Sequence, residues 1–127
     1  MPDEPQLLPL NIYAGSEFRW TRGLNDEAGA PLTSTDGWTG ECQVRAGYGG
    51  DLIVGFGGAG EGTCTIDAEG NVTLAVSSEV TAGLPATSGG GPNGRYVADL
   101  EVWQTSTPAA RYRACDFLVR VFREATV

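Results

Sequence analysis

The strongest constraint on the fold of this chain is a period-two alternation of apolar and polar residues. In WTGECQVRA (38–46), most apolar side chains fall at even positions and the polar ones at odd positions. The stretches EFRWTRGL (17–24), NVTLAV (71–76) and RYVADLEVW (95–103) alternate in the same way. Because side chains two residues apart share one face of a strand, each stretch predicts a half-buried β-strand.

The last alternating stretch, RYRACDFLVRVFRE (111–124), changes phase midway. Tyr112 and Ala114 are even-numbered, whereas the apolar residues from Phe117 onward are odd-numbered. One extra residue near Cys115–Asp116 would account for the change, as a β-bulge or a tight turn.

Turn-forming segments such as NDEAGAP, STDG and DAEGN separate these short strands. Turns about every 8–12 residues predict an all-β fold, a single antiparallel β-sandwich of about eight strands, Ig-like or jelly-roll-like. Its one helical turn is expected near 77–84, between capping serines and a glycine. The length predicts one domain over 1–127. Within it we expect an extended N-terminal arm at 1–9 and a flexible glycine-rich loop at 85–94.

A glycine-rich segment, DLIVGFGGAGEG (51–62), resembles a nucleotide-binding motif in its glycine spacing. Gly55, Gly57 and Gly60 have the G-x-G-x-x-G spacing of dinucleotide-binding loops, in which the third glycine opens a helix that holds the phosphate. Here Gly62 and β-branched residues follow instead, and 72–76 is already another strand. We interpret the segment as a connection between two strands, and we predict no nucleotide and no other cofactor.

Composition argues against an enzyme. The chain has no His, which is the commonest general base near neutral pH. It has no G-x-S-x-G sequence, and DAEGN lacks the twelve-residue ligand pattern of a calcium loop. We therefore predict no catalytic residues and no metal site.

The formal net charge of −8 argues against nucleic acid as a partner, because the chain would repel a phosphate backbone. No segment approaches the length of a membrane span, and the acidic start does not resemble a signal peptide. We expect a soluble protein, made in the cytoplasm, with no membrane partner.

Charge and aromatic residues together indicate a contact surface. The C-terminal segment is rich in arginine, whereas the rest of the chain is acidic. Its arginines could contact an acidic face of a neighbouring molecule or pair with acidic strands of the same molecule. Exposed aromatic residues near arginine are typical of protein interfaces, with packing inside the subunit and sugar stacking as alternatives. The candidate subunit or partner contacts are Tyr48, Trp103, Phe122, Arg111, Arg113, Arg120 and Arg123.

Three cysteines are too few and too widely spaced for a disulfide framework. We expect reduced core thiols, with Cys42 and Cys64 on inward faces and Cys115 near the bulge. The odd number leaves room for a disulfide between subunits, for which Cys115 is the candidate.

The order of the motifs resembles that of small β-sandwich proteins from the structural modules of tailed bacteriophages. The motifs are NIYAGSEFRW, then NDEAGAPLTSTDGWTGECQVR, TIDAEGNVTLAVSSEVTAGL, YVADLEVW and CDFLVRVFREATV, spread from Leu10 to Val127. The three cysteines and the segment GFGGAGEG depart from the pattern of that group.

The resemblance implies a non-enzymatic virion component, most simply an accessory or minor capsid protein that decorates and stabilises the particle. Its partners would be the major capsid protein or other virion proteins, and it would act as a homo-oligomer, with a trimer among the states expected. A tail or baseplate module is the nearest alternative. A carbohydrate- or receptor-binding module is a further alternative, which would depend on Trp103 or Tyr48.

Overall fold

Two β-sheets face each other across one apolar core in the computed structural model, which describes residues 6–26, 28–46, 50–58, 60–84 and 96–122. A 3-10 turn spans Ser34–Asp36. Within the described residues the strands and the helix are β1 (Gln6–Tyr13), β2 (Phe18–Gly23), β3 (Trp38–Arg45), β4 (Leu52–Phe56), β5 (Thr63–Ile66), β6 (Asn71–Val76), α1 (Ser78–Ala82), β7 (Tyr96–Gln104) and β8 (Tyr112–Phe122).

The large sheet has the strand order β1-β8-β7-β3-β4, and the small sheet has the order β2-β6-β5. This arrangement confirms the predicted β-sandwich. The prediction of a wholly antiparallel fold is wrong in one place, because β1 pairs with β8 in parallel. After β1 the chain crosses directly to the small sheet, so β1 has no hairpin partner and lies instead beside the last strand.

The predicted N-terminal arm overlaps this edge strand. Residues 6–9, expected to lie in the arm, belong to β1, where Leu8 is opposite Phe117. Leu10 and Ile12 of the same strand are buried in the core. Residues 1–5 and the predicted glycine-rich loop at 85–94 lie outside the described residues.

A bulge at Ala114 explains the change of phase in the last strand. Leu100 is opposite Cys115, whereas the next residue of β7, Glu101, is opposite Arg113, so Ala114 has no opposite residue. The predicted irregularity is therefore confirmed, one residue before Cys115. Beyond the bulge, the odd-numbered residues of β8 from Cys115 to Val121 are buried.

Aromatic contacts between the two sheets close the core. Trp20 of β2 meets Phe117 of β8 edge to face, with 5.3 Å between ring centroids. Phe18 of β2 packs against Phe56 of β4 at 5.9 Å. Offset and edge-on ring pairs of this kind add to the stabilisation that comes from burial of their apolar area.

The helical turn predicted near 77–84 is α1, and it is hydrogen-bonded to the corner between β1 and β2. Ser77 caps it, since its hydroxyl accepts a hydrogen bond from the backbone N–H of Val80. The fully buried hydroxyl of Thr81 accepts a hydrogen bond from the backbone N–H of Gly15 and donates one to the carbonyl oxygen of Ser16, 2.8 Å away. Buried polar groups of the corner are satisfied in this way.

The glycine-rich segment carries the chain from the large sheet to the small one. The backbone N–H of Gly62 donates to the carbonyl oxygen of Gly55 at 2.8 Å, and Gly57 has a positive φ of 84°. A Cβ atom on Gly60 would lie against the carbonyl group of Gly55. The predicted connection between two strands is therefore confirmed, and glycine is required at 60 because two backbone segments touch there.

We expect Gly60→Ala to lower the free energy of unfolding by about 3 kcal/mol, because the backbone of β4 must move to admit the methyl group. Gly83→Ala is the matched control. Gly83 has a φ of −90°, and its added Cβ would lie 3.7 Å from the nearest atom. Its effect should stay within about 1 kcal/mol. Urea denaturation of both variants measures the difference, and equal stabilities would contradict the close backbone contact.

Candidate partner-contact surface

The candidate contact residues of the described chain lie on the outer face of the large sheet, which is the face turned away from the core. Strand pleating directs Asp99, Glu101 and Trp103 of β7 to this face, because Ala98, Leu100 and Val102 are buried between them. Because of the bulge at Ala114, odd-numbered residues of β8 before the bulge and even-numbered residues after it lie on this same face. Arg113 precedes the bulge and Asp116 follows it, and their charged groups are 3.6 Å apart.

Like charges face each other across this surface, and two arginines lie between them. Glu41 of β3 is directly opposite Glu101 of β7, and the Nη1 atom of Arg111 is 3.3 Å and 3.8 Å from their carboxylate oxygens. Opposed carboxylates repel one another. The guanidinium of Arg111 therefore offsets a repulsion built into the strand register.

Arg113 offsets a second such repulsion in the neighbouring row of the sheet. Asp99 of β7 is opposite Asp116 of β8, and Arg113 contacts both, at 3.5 Å and 3.6 Å. The sequence left open whether the C-terminal arginines pair within the molecule or with a neighbour. For Arg111 and Arg113, the described contacts are within the molecule.

Trp103 is covered on one face by the same network. The central carbon of the Arg111 guanidinium lies 3.9 Å from the centroid of the Trp103 ring, which is a cation–π contact. A sugar or a partner could stack on this face of Trp103 only after displacing Arg111. Trp103 was a candidate contact with packing inside the subunit as an alternative, and the contact with Arg111 is of that second kind.

Phe122, by contrast, is exposed and has an aromatic neighbour that the sequence did not reveal. Its ring stacks on that of Tyr13, with centroids 5.3 Å apart and planes 21° apart. Relative exposures of 37% for Phe122 and 52% for Tyr13 place both among the large exposed apolar residues of the described chain. They lie side by side because Tyr13 is opposite Phe122 in the parallel pair of β1 and β8.

Arg120 lies next to this ring pair, opposite Asn11 of β1. It is exposed, and within the described residues it has no ion-pair partner. By contrast, the outer-face arginines Arg111 and Arg113 are ion-paired, and Arg45 donates to the side chain of Gln43. We call Tyr13, Phe122 and Arg120 the end patch. The other two candidates, Tyr48 and Arg123, lie outside the described residues.

The three cysteines are reduced in this structure, and Cys42 and Cys115 are almost completely buried. Cys64 is half-buried and packs against the core, as predicted for an inward-facing residue. A disulfide between subunits, for which Cys115 was the candidate, does not fit the burial of that residue. The bulge at Ala114 turns Cys115 into the core, where another subunit cannot reach its sulfur.

Burial also sets the ionisation of these thiols. It raises the pKa of Cys64 to about 12 and that of Cys115 to about 11, because a thiolate loses its hydration in the core. Burial raises the pKa of Cys42 furthest, and the neighbouring thiol of Cys64 adds to the effect. Such thiols are poor nucleophiles near neutral pH.

Neither a metal centre nor a membrane-spanning helix occurs in the described portion of the chain. Among those residues no group of three or more His, Cys, Asp or Glu side chains is placed to hold a metal ion. None of the described helices has the length and apolar character needed to cross a membrane.

Comparison with known proteins shows the fold. No protein-family model and no curated protein matches the chain. A structure from photo-crosslinking analyses of multimeric cell-adhesive interactions of VGSC beta subunits is similar, with a TM-score of 0.51 and 7% identity over 95% of this chain and 96% of that one.

Two further solved structures are similar at lower scores. The titin M3 domain has a TM-score of 0.47 and 10% identity over 97% of this chain and 96% of its own. The ZIG-8–RIG-5 IG1–IG1 heterodimer has a TM-score of 0.43 and 8% identity over 95% and 85%. None of the three descriptions names an enzymatic activity or a phage. At these identities the likeness concerns the fold alone, and the chain is an Ig-like β-sandwich.

The buried thiols predict a loss of stability at alkaline pH. Below the ordinary thiol pKa near 9, Cys42 is protonated in both the folded and the unfolded chain, so its ionisation does not lower the free energy of unfolding. At higher pH only the unfolded thiol ionises, so the free energy of unfolding falls by about 1.4 kcal/mol per pH unit for this residue. Urea denaturation between pH 8 and about 11 measures the slope. Cys42→Ala should reduce the slope by about 1.4 kcal/mol per pH unit and leave the part due to Cys64 and Cys115, and an unchanged slope would contradict the assignment.

Proposed function

We propose that this chain is a non-enzymatic structural component of a tailed-phage virion, an accessory or minor capsid protein that stabilises the particle by contacts between subunits. Its partners are the major capsid protein or other virion proteins, and it assembles with copies of itself, with a trimer among the states expected. The order of its sequence motifs supports the virion setting. The end patch is the observation that carries the contact role.

The end patch has the chemistry of an interface rather than of an ordinary surface. Tyr and Phe bury large areas when a partner covers them, and arginine is enriched with aromatic residues at interface cores. Arg120 has no ion-pair partner among the described residues, whereas Arg111 and Arg113, outside the patch, already contact carboxylates. The partner surface should therefore combine an apolar area with an acidic group.

The internal ion pairs support the same placement. On the Trp103 side of the outer face, Arg111 already contacts two carboxylates and covers one face of the ring, which makes this side a poor site for a second surface. An exposed stack of two rings, on a chain whose net charge is −8, offers binding energy without strong repulsion at the point of contact. The contact is thus expected at the end of the large sheet where β1 and β8 stop.

Phe122→Ser should reduce incorporation of the chain into particles at least about tenfold, which corresponds to the loss of one central interface side chain. Leu52→Ser is the matched control, since Leu52 is another exposed apolar residue, 50% exposed, at the opposite edge of the same sheet. Quantitative mass spectrometry of purified particles measures incorporation. Equal incorporation of the two variants would contradict the contact role of the end patch.

The virion setting has its own test. Electron microscopy of intact particles, from the phage whose genome encodes the chain, should show Ig-like density of this size on the capsid surface. Density on the tail or baseplate instead would favour the alternative of a tail module. Absence of the chain from purified particles would overturn the proposal.

A further inference from the structure

A cavity of about 260 Å³ opens at the end of the sandwich opposite the end patch along β8. Three separate segments form it: the connection after β2, the start of β3, and the meeting of β7 with β8. It is larger than the engineered cavity of about 150 Å³ that holds a benzene molecule. Its principal lining residues are Leu24, Asp26, Leu32, Trp38, Val102 and Tyr112.

Two aromatic rings stand in the wall of this cavity. Trp38 and Tyr112 lie with their ring centroids 6.1 Å apart and their planes tilted by 55°. Tyr112 is opposite the buried Val102, so it belongs to the inner phase of β8, yet it keeps 37% of its surface exposed because the small sheet does not cover it. Both rings belong to the lining, so a ligand in the cavity would contact them.

Of the described residues that line the cavity, only Arg113 and Asp26 are formally charged, and they differ in their contacts. The guanidinium of Arg113 is engaged with Asp99 and Asp116 on the outer face of the sheet. Asp26 accepts hydrogen bonds from the backbone N–H groups of Ala28 and Ala30 through one oxygen, Oδ1. Within the described residues Asp26 has no ion-pair partner, so its carboxylate is the acidic group that the lining offers to a ligand.

Two aromatic rings, apolar side chains and one carboxylate without a described ion-pair partner together favour a particular ligand chemistry. A cation is attracted to the faces of Trp and Tyr, and its methyl or methylene groups fit an apolar wall. The carboxylate of Asp26 disfavours an anion, and a neutral ligand would leave it without a charged partner. The net charge of −8 raises the local concentration of cations around the whole chain.

We propose that the cavity between Trp38, Tyr112 and Asp26 binds a small organic cation of the alkylammonium type, such as a quaternary ammonium group. The group could be free or could belong to a larger molecule, as in a phosphocholine headgroup or a methylated lysine side chain. The site lies away from the end patch and does not depend on the virion proposal, so either can fail without the other.

The first test uses probes that differ in charge alone. Choline and its neutral isostere 3,3-dimethyl-1-butanol are titrated separately into the ¹⁵N-labelled chain, and amide shifts are followed by NMR. Choline should shift the amides of residues 24–26, 38 and 112–114 and bind at least about fivefold more tightly than the isostere. Equal binding of both, or no shift at these amides, would overturn the proposal.

The second test uses variants. Asp26→Asn keeps an acceptor oxygen for the backbone turn but removes the charge, and Tyr112→Ala removes one ring. Each should weaken choline binding about fivefold or more, whereas Tyr13→Ala, at an exposed tyrosine of the end patch, should leave it unchanged. Unchanged binding in both cavity variants, or an equal loss in Tyr13→Ala, would overturn the proposal. Phosphocholine and trimethyl-lysine as further probes distinguish a headgroup source from a protein source.

Discussion

The pairing of β7 with β8 around Ala114 is the constraint on which the rest of the structure depends. A single extra residue moves the apolar positions of β8 from even to odd, which buries Cys115 and Phe117. The same step brings Arg113 and Asp116 onto one face, where they join the acidic residues of β7. Core, ion pairs and contact surface thus follow from one local irregularity in the strand ladder.

The fold could be predicted to a large extent because alternation is a local signal. Each strand from β2 to β8 that carries an alternating pattern lies where that pattern placed it, and the bulge and α1 were equally local. The parallel pairing of β1 with β8 was not predictable in this way. It joins the two ends of the described chain, at Leu8 and Phe117, and nothing within either strand specifies the partner or its direction.

The same distinction between local and long-range signals applies to the sites. Phe122 was predicted to be exposed from its even-numbered position in β8, whereas Tyr13 becomes its neighbour only through the parallel pairing. Trp103 had the correct phase for exposure, but the position of Arg111 over its ring depends on the strand register. The cavity has no sequence signature, because Asp26, Trp38 and Tyr112 come from three distant segments.

We propose that the chain contacts a virion partner through the end of the large sheet where β1 and β8 end. Site-specific photo-crosslinking in intact particles tests it most directly, with a photoreactive residue in place of Phe122 or, separately, of Leu52. We expect a crosslink to another virion subunit from position 122 and none from position 52. Crosslinks from position 52 alone, or from neither position, would contradict it.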